Sequence, residues 1–352
     1  MSLIPYLTRI HFADGVLEDA LPEEADRLGL RRPMLLADAF GVGADLSDRV
    51  ECALPVHCVP VRADAGQSPD LLAAFLARQC CDGVLALGGP QAMARALDLA
   101  ARSCVQVPSR HLPVIALPTT TAALGLPEVP LPAAGNPRRA APPLPAVVLC
   151  DPTLTTWAGP GLTAASGLDV MVHCIETYLS TTWNPPADGM ALDGLRRAAL
   201  ALDRAVTHGK DGNARRVMLA AALNAALAGQ KGLGAVHALA RALEPLLPED
   251  TPHGWLHAAL LPAVLRFNAP APGERYPMLA EALRLAPGVD LGPALQAIGV
   301  RLGLPGTLAG LALDTGACDR AAALAAEDPA NRTNPRHATP RDYRALLDEV
   351  RA

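Results

Sequence analysis

Short apolar runs punctuate the first half of the chain, each closed by glycine, proline or a charge, with amphipathic stretches between them. Residues 33–38, 56–61, 83–89, 114–118 and 146–150 read as strands. These runs are continuous rather than alternating in polarity, the pattern of strands buried on both faces. Apolar positions recur at helical spacing over residues 70–79 and 91–102. Strands alternating with helices predict a parallel sheet covered on both faces, a Rossmann-like α/β domain over residues 1–154. After Asp151-Pro152 the pattern changes. Long Ala- and Leu-rich helical periods cover 163–179, 186–206, 212–228 and 234–246, and more follow to the C-terminus. An all-helical domain is expected over residues 155–352. Residues 133–145, rich in Pro, Ala, Gly and Arg, read as an exposed loop or loose hairpin.

Composition narrows the functional classes. The chain has 352 residues, enough for two domains with sizeable cores. A net charge of −5 gives no support for a nucleic-acid partner. The eight cysteines form no CxxC pair and lie in apolar segments, which reads as a reducing, cytoplasmic setting. The start, Met1-Ser2-Leu3-Ile4-Pro5-Tyr6, lacks the charged and apolar regions of a signal peptide. Apolar stretches are interrupted well before a membrane-spanning length, so no membrane partner is expected.

Candidate chemistry concentrates in the second half. Asp169 and His173 are four residues apart, which places a carboxylate and an imidazole on one helix face. His237 and His253 lie further on, separated by a turn. One carboxylate and three imidazoles form a ligand set for Zn²⁺ or Fe²⁺, and such a centre polarises a carbonyl or an alcohol. In the first half, Gly88-Gly89-Pro90-Gln91 joins a strand to a helix, where backbone N–H groups approach a phosphate or simply turn the chain. It is not the GxGxxG fingerprint. Asp38 ends an earlier strand; it either accepts hydrogen bonds from a ribose diol, favouring NAD over NADP, or caps a turn. Thr119 and Thr120 end another strand, where hydroxyls face the ligand crevice of an open α/β sheet or serve β-propensity and capping.

The order of these pieces resembles the iron-containing (group III) alcohol dehydrogenase family, which includes the maleylacetate reductases and is related in fold to dehydroquinate synthase. The segments that carry the resemblance run nearly end to end: Ile10-His11-Phe12-Ala13-Asp14-Gly15, Ala86-Leu87-Gly88-Gly89, Leu117-Pro118-Thr119-Thr120 and Asp151-Pro152-Thr153-Leu154-Thr155. The most specific is Leu162-Thr163-Ala164-Ala165-Ser166-Gly167-Leu168-Asp169, continuing to His173 and Glu176. Gly234-Ala235-Val236-His237, Pro252-His253-Gly254, Leu260-Leu261-Pro262 and Thr333-Asn334-Pro335-Arg336 follow. The resemblance implies an NAD(H)-linked oxidoreductase of CH–OH groups with one divalent metal, Fe²⁺ or Zn²⁺, on Asp169, His173, His237 and His253. It also implies a homodimer or larger assembly and a small alcohol or carbonyl substrate.

Three departures sharpen the reading. The family's glycine loop usually continues Gly-Gly-Gly-Ser, and here it reads Gly88-Gly89-Pro90-Gln91. Its Thr-Thr segment usually continues toward Gly-Ser-Glu, and here it reads Thr121-Ala122-Ala123-Leu124-Gly125-Leu126-Pro127-Glu128. A family histidine near the nicotinamide is Arg241 here. Arg241 either selects an acidic substrate by bidentate pairing or joins a nearby acid such as Glu244. His257, one turn past His253, lines the pocket as a proton relay or lies on a helix surface. The expected function is a metal-dependent NAD(H)-linked alcohol dehydrogenase or carbonyl reductase. The alternatives are a maleylacetate reductase-like enzyme for an acidic substrate, a dehydroquinate-synthase-like lyase, and a non-catalytic paralogue with altered loops.

Overall fold

The computed structural model describes residues 8–38, 42–106, 112–122, 124, 144–247, 251, 253–271, 273–311 and 313–351. Its first part comprises β1 (Arg9–Phe12), α1 (Val16–Arg27), β2 (Met34–Ala37), α2 (Ala44–Ala53), β3 (Val61–Asp64), α3 (Pro69–Arg78), β4 (Val84–Gly88), α4 (Pro90–Gln106), β5 (Val114–Pro118) and β6 (Val147–Cys150). All strand pairs are parallel, in the order β1-β6-β5-β4-β2-β3. The central strands are buried throughout, as continuous apolar runs require. β2 connects outward to β3, and β4 then returns to the other side of β2. The chain therefore reverses direction between β2 and β4, and the crevice at their carboxyl ends is where open α/β sheets bind ligands.

One strand reading is corrected. Residues 56–60 are turn and coil, and the edge strand is Val61–Asp64. The apolar run at 56–61 reflects exposed Val56 and Val59, whereas the true edge strand alternates in polarity and pairs β2 in register Met34↔Val61. The loop expected over 133–145 and the first six residues lie almost wholly outside the described residues.

The second part comprises α5 (Pro160–Leu179), α6 (Pro185–Thr207), α7 (Gly212–Ala228), α8 (Ala235–Leu243), α9 (His253–Asn268), α10 (Arg275–Ala282), α11 (Leu291–Arg301), α12 (Thr315–Glu327) and α13 (Pro340–Arg351). α5 starts on Pro160, whose missing N–H is harmless in a first turn. Almost every residue after that turn is buried, because α6, α7 and α9 enclose it. Such a helix needs small residues where neighbours press closest. A Cβ on Gly167 would stand 2.2 Å from Leu202, and a Cβ on Gly254 of α9 would stand 2.0 Å from the Ala165 carbonyl oxygen. One apolar core runs from the β2–β4–β5 face into these helices, and a second fills the opposite face beneath α1 and α2. No described helix is long and apolar enough to cross a membrane.

Beneath the second core, Glu24 of α1 is buried and accepts from Arg9 Nε at 2.9 Å, His11 Nε2 at 2.7 Å and Arg27. Burial alone would raise this carboxyl, but hydrogen bonds from His11, Arg27 and Arg9 outweigh it and hold the pKa at about 2. The folded value lies below the unfolded one. The stabilisation is therefore complete above the ordinary carboxyl range near 4.5 and drains away as pH falls toward 2. Glu24→Gln is expected to cost about 1.5–3 kcal/mol at pH 7. Urea melts of the two proteins between pH 7 and pH 3 check this, and a gap that does not narrow below pH 5 refutes it.

Candidate active site

Three of the residues singled out in the sequence converge at the cleft between sheet and helices. Asp169 and His173 face one way from α5, and His237 enters from α8. Their ligand atoms lie within 4.8 Å of one another. His173 Nδ1 is 3.0 Å from the Asp169 carbonyl oxygen, which accepts only, so Nδ1 carries the proton. His237 Nδ1 lies 2.6 Å from Glu176 Oε2. Both rings thus turn Nε2 lone pairs toward one point, and the two Nε2 atoms are 3.2 Å apart. Two acceptors facing each other repel unless a cation lies between them. Metal–nitrogen bonds of about 2.0–2.1 Å at a tetrahedral angle separate the nitrogens by about 3.3–3.4 Å. The donor set therefore fits a divalent metal.

The electrostatics prepare the same state. Burial alone would raise the Asp169 carboxyl, but the imidazoles of His173, His257 and His237 hold it well below the ordinary range. Burial, with the imidazoles of His173 and His257, pushes His237 far down. An ionised carboxylate beside a neutral imidazole is the protonation state that metal binding requires.

The other two histidines divide differently from the expectation. His257 is the inward one, 1% exposed, with Nδ1 at 2.7 Å from Asp169 Oδ1 and its ring 4.5 Å from that of His237. By hydrogen-bond geometry neither of its ring nitrogens has a partner among the described residues, so the approach of Nδ1 to Asp169 is a close polar contact. His253 is half-exposed, and its Nδ1 lies 3.0 Å from Glu244 Oε1. It sits on the first residue of α9, where the side chain turns to the acid at the end of α8. The structure thus brings His257, and not His253, beside Asp169. Arg241 pairs with Asp328 at 3.1 Å rather than with Glu244. The residue that sequence reasoning left without a role is Glu176, which its spacing of three from His173 and seven from Asp169 puts on the same face.

On the sheet side, Asp38 follows β2, Gly88 ends β4 with Gly89 next to it, and Thr119 and Thr120 follow β5. Asp38 Oδ2 accepts from Gly89 N at 2.5 Å. Gly88 has φ 151°, and a Cβ there would stand 2.4 Å from that oxygen, so the close approach needs glycine. Asp38 Oδ1 and the hydroxyls of buried Thr119 and Thr120 have no partner among the described residues. Orphaned polar atoms of this kind call for a ligand, and a ribose-bearing nucleotide suits them. Burial raises the Asp38 carboxyl, and the Gly89 N–H opposes the rise. Pro90 and Gln91 are exposed at the start of α4. Pro90 offers no N–H, and that of Gly89 is already committed to Asp38, so this loop has fewer donors for phosphate than a glycine-rich helix start provides.

The two walls meet. Thr121 follows the strand-end hydroxyls and donates to Ser166 of α5 at 3.0 Å. Thr121, Asp169 and His173 line one cavity with Ala222, Ala225 and Ala226 of α7.

Comparison with known proteins places this geometry. A family model described as Fe-containing alcohol dehydrogenase, C-terminal, matches residues 163–350. A 4-hydroxybutyrate dehydrogenase of Cupriavidus necator is 35% identical over 99% of this chain and 100% of its own length. A crystal structure of 1,3-propanediol oxidoreductase superposes with TM-score 0.85 at 23% identity, covering 99% of this chain and 100% of that one. A sulfoacetaldehyde reductase from Bifidobacterium kashiwanohense, solved with NAD⁺, superposes with TM-score 0.83 at 23% identity over the full length of both chains. With its signature helices, its converging ligand atoms and a full-length relative, the chain belongs to the iron-containing alcohol dehydrogenase family of NAD-linked oxidoreductases acting on CH–OH groups.

Proposed function

We propose that this enzyme interconverts a short ω-hydroxy carboxylate and its aldehyde, using NAD(H) rather than NADP(H). The observation that carries the reading is the shared cavity, in which Thr121 from the nucleotide wall faces Asp169 and His173. The full-length likeness to a 4-hydroxybutyrate dehydrogenase supports the substrate class. When bound, a divalent metal supplies Lewis acidity at the substrate oxygen and the nicotinamide supplies the hydride acceptor.

The chain's own residues do the rest. Asp169, His173 and His237 would hold the metal, and His253, the fourth ligand that the family resemblance implies, would join them by leaving Glu244 and turning inward. His257 steadies Asp169 Oδ1 from the side. Asp38 Oδ1 and the Thr119 and Thr120 hydroxyls receive the ribose end of the nucleotide, and Gly88 and Gly89 let it come close. The α7 alanines give the cavity a small apolar wall that suits a short aliphatic chain. Arg241 holds Asp328, and we assign it to packing rather than to substrate.

The test is a fluorescence titration of NADH and NADPH into protein of known metal content, followed by kcat/KM for 4-hydroxybutyrate, 1,3-propanediol and maleylacetate. NADH is expected to bind at least about tenfold more tightly, a difference of about 1.4 kcal/mol that one repelled phosphate readily supplies. 4-Hydroxybutyrate is expected to lead the substrates by a similar factor. Tighter NADPH binding removes the role of Asp38. A preference for maleylacetate replaces the hydroxy-acid reading with that of an acidic-ketone reductase.

A further inference from the structure

We infer that Glu176 is a positioning residue of the metal centre: it fixes the tautomer of His237 and couples metal binding to the seating of α8. Its carboxylate is 4% exposed and receives four N–H groups. Oε1 accepts from Val236 N at 2.6 Å. Oε2 accepts from Gly234 N at 3.1 Å, His237 N at 3.3 Å and His237 Nδ1 at 2.6 Å. Three of these donors are backbone N–H groups at the start of α8, where a helix leaves its N–H groups unsatisfied and favours negative charge. The fourth is the ring nitrogen that must carry a proton if Nε2 is to offer a lone pair. One side chain thus serves a helix start and a ligand orientation together.

The surroundings are built for that carboxylate. A Cβ on Gly234 would stand 2.8 Å from Glu176 Oε1 and 2.8 Å from Asn334 Oδ1, so glycine lets both oxygens reach the α8 backbone. Asn334 Oδ1 accepts from Ala235 N at 3.1 Å, and its side-chain amide pairs with that of Asn268 at 2.8 and 3.0 Å. A carboxylate behind a metal-bound imidazole raises the basicity of the ring and fixes its direction, and loss of such a partner typically costs 10–100-fold in metal affinity. Glutamine is the informative replacement. It offers one acceptor oxygen where four donors converge, and its amide N–H groups confront the N–H groups of α8.

This inference rests on the reading that Asp169, His173 and His237 hold a divalent metal, and the experiment separates the two. Co²⁺ is titrated into metal-stripped wild-type protein, Glu176→Gln and Asn334→Ala, with visible absorption reporting the cobalt environment. Failure of the wild type to bind Co²⁺ overturns the metal reading and the inference with it. With the wild type binding, Glu176→Gln is expected to weaken Co²⁺ on the order of 10–100-fold and to shift its absorption bands. Asn334→Ala, which loosens the same helix start without touching the His237 ring, is expected to leave the bands in place. Equal affinity and unchanged bands in Glu176→Gln, or the same band shift in both variants, overturn the inference. A readout on the wild type covers the case in which Glu176→Gln does not fold. Nitrogen NMR of metal-free, ¹⁵N-histidine-labelled protein is expected to show His237 protonated at Nδ1, with the resonance assigned through its loss in His237→Gln. Protonation at Nε2 instead refutes the assignment.

Discussion

Replacing His173 by alanine is expected to lower kcat/KM on the order of a thousandfold while the protein stays folded. The two effects separate because the ring lies at the cavity rather than in the apolar core. Among the described residues its Nδ1 bonds the Asp169 carbonyl, one turn back in the same helix, and truncation strands no buried donor. Alanine is the best helix former, and the ring is 21% exposed at the cavity, so the stability cost should stay near 1 kcal/mol. The chemical loss is larger. One of the two converging Nε2 atoms disappears, and with it the geometry that fits a divalent metal. Lewis-acid stabilisation of developing charge contributes several kcal/mol, and about 4 kcal/mol corresponds to a factor of about a thousand. NADH binding should persist, because Asp38, Gly88, Gly89, Thr119 and Thr120 lie on the opposite wall. Kinetics, metal analysis and an NADH titration on the same sample check all three statements. A kcat/KM within tenfold of the wild type, with a full complement of metal, refutes the assignment of His173.

The sequence reveals those parts of this molecule whose cause is local. β4, β5 and β6 are legible because a strand buried on both faces must be apolar at every position. The Asp169–His173 pair is legible because a spacing of four is one helical turn. β3 is misplaced because an edge strand is half solvated, and Val61-Arg62-Ala63-Asp64 carries less apolar signal than the exposed Val56 and Val59 before it. α1 and α2 are quiet for the same reason: their polar faces carry Glu, Asp and Arg, and the apolar stripe is thin. The choice between His253 and His257 is not a local matter. Both lie on one face of α9, and the approach of that helix to α5 determines which one turns inward. The same holds for Glu176, whose four donors come from 58 to 61 residues further along. Asp38 shows the limit from the other side. Its position at a strand end is visible in the sequence, but its bond to Gly89, 51 residues away, is a product of the strand order.

That approach of α9 to α5 yields the second large effect. Gly254→Ala is expected to destabilise the protein by about 3 kcal/mol or more, although propensity alone argues the opposite. Alanine is favoured over glycine in a helix by about 0.5–1 kcal/mol. Packing decides against it. The added Cβ would lie 2.0 Å from the Ala165 carbonyl oxygen, 2.5 Å from its carbon and 2.8 Å from its Cα. These are backbone atoms in the middle of a buried helix, so no side chain can swing aside. Relief requires α9 to move away from α5, and overpacking of this kind costs about 1–3 kcal/mol, more where the backbone must shift. With about 2.1 cal/mol/K of unfolding entropy per residue, a chain of 352 residues loses about 1.4 °C per kcal/mol, so Tm should fall by roughly 4 °C or more. The displacement also has a chemical consequence. Ala165 is one turn before Asp169, and Gly254 is three residues before His257, so opening this contact draws His257 away from the 2.7 Å approach to Asp169. Metal affinity should therefore fall together with Tm. By contrast Gly161→Ala, near the start of the same α5, meets nothing within 4 Å and should leave both unchanged. Thermal melts and metal titrations of the two variants check the contrast. A Gly254→Ala protein that melts with the wild type and holds metal equally well would mean that helix contact does not position the site.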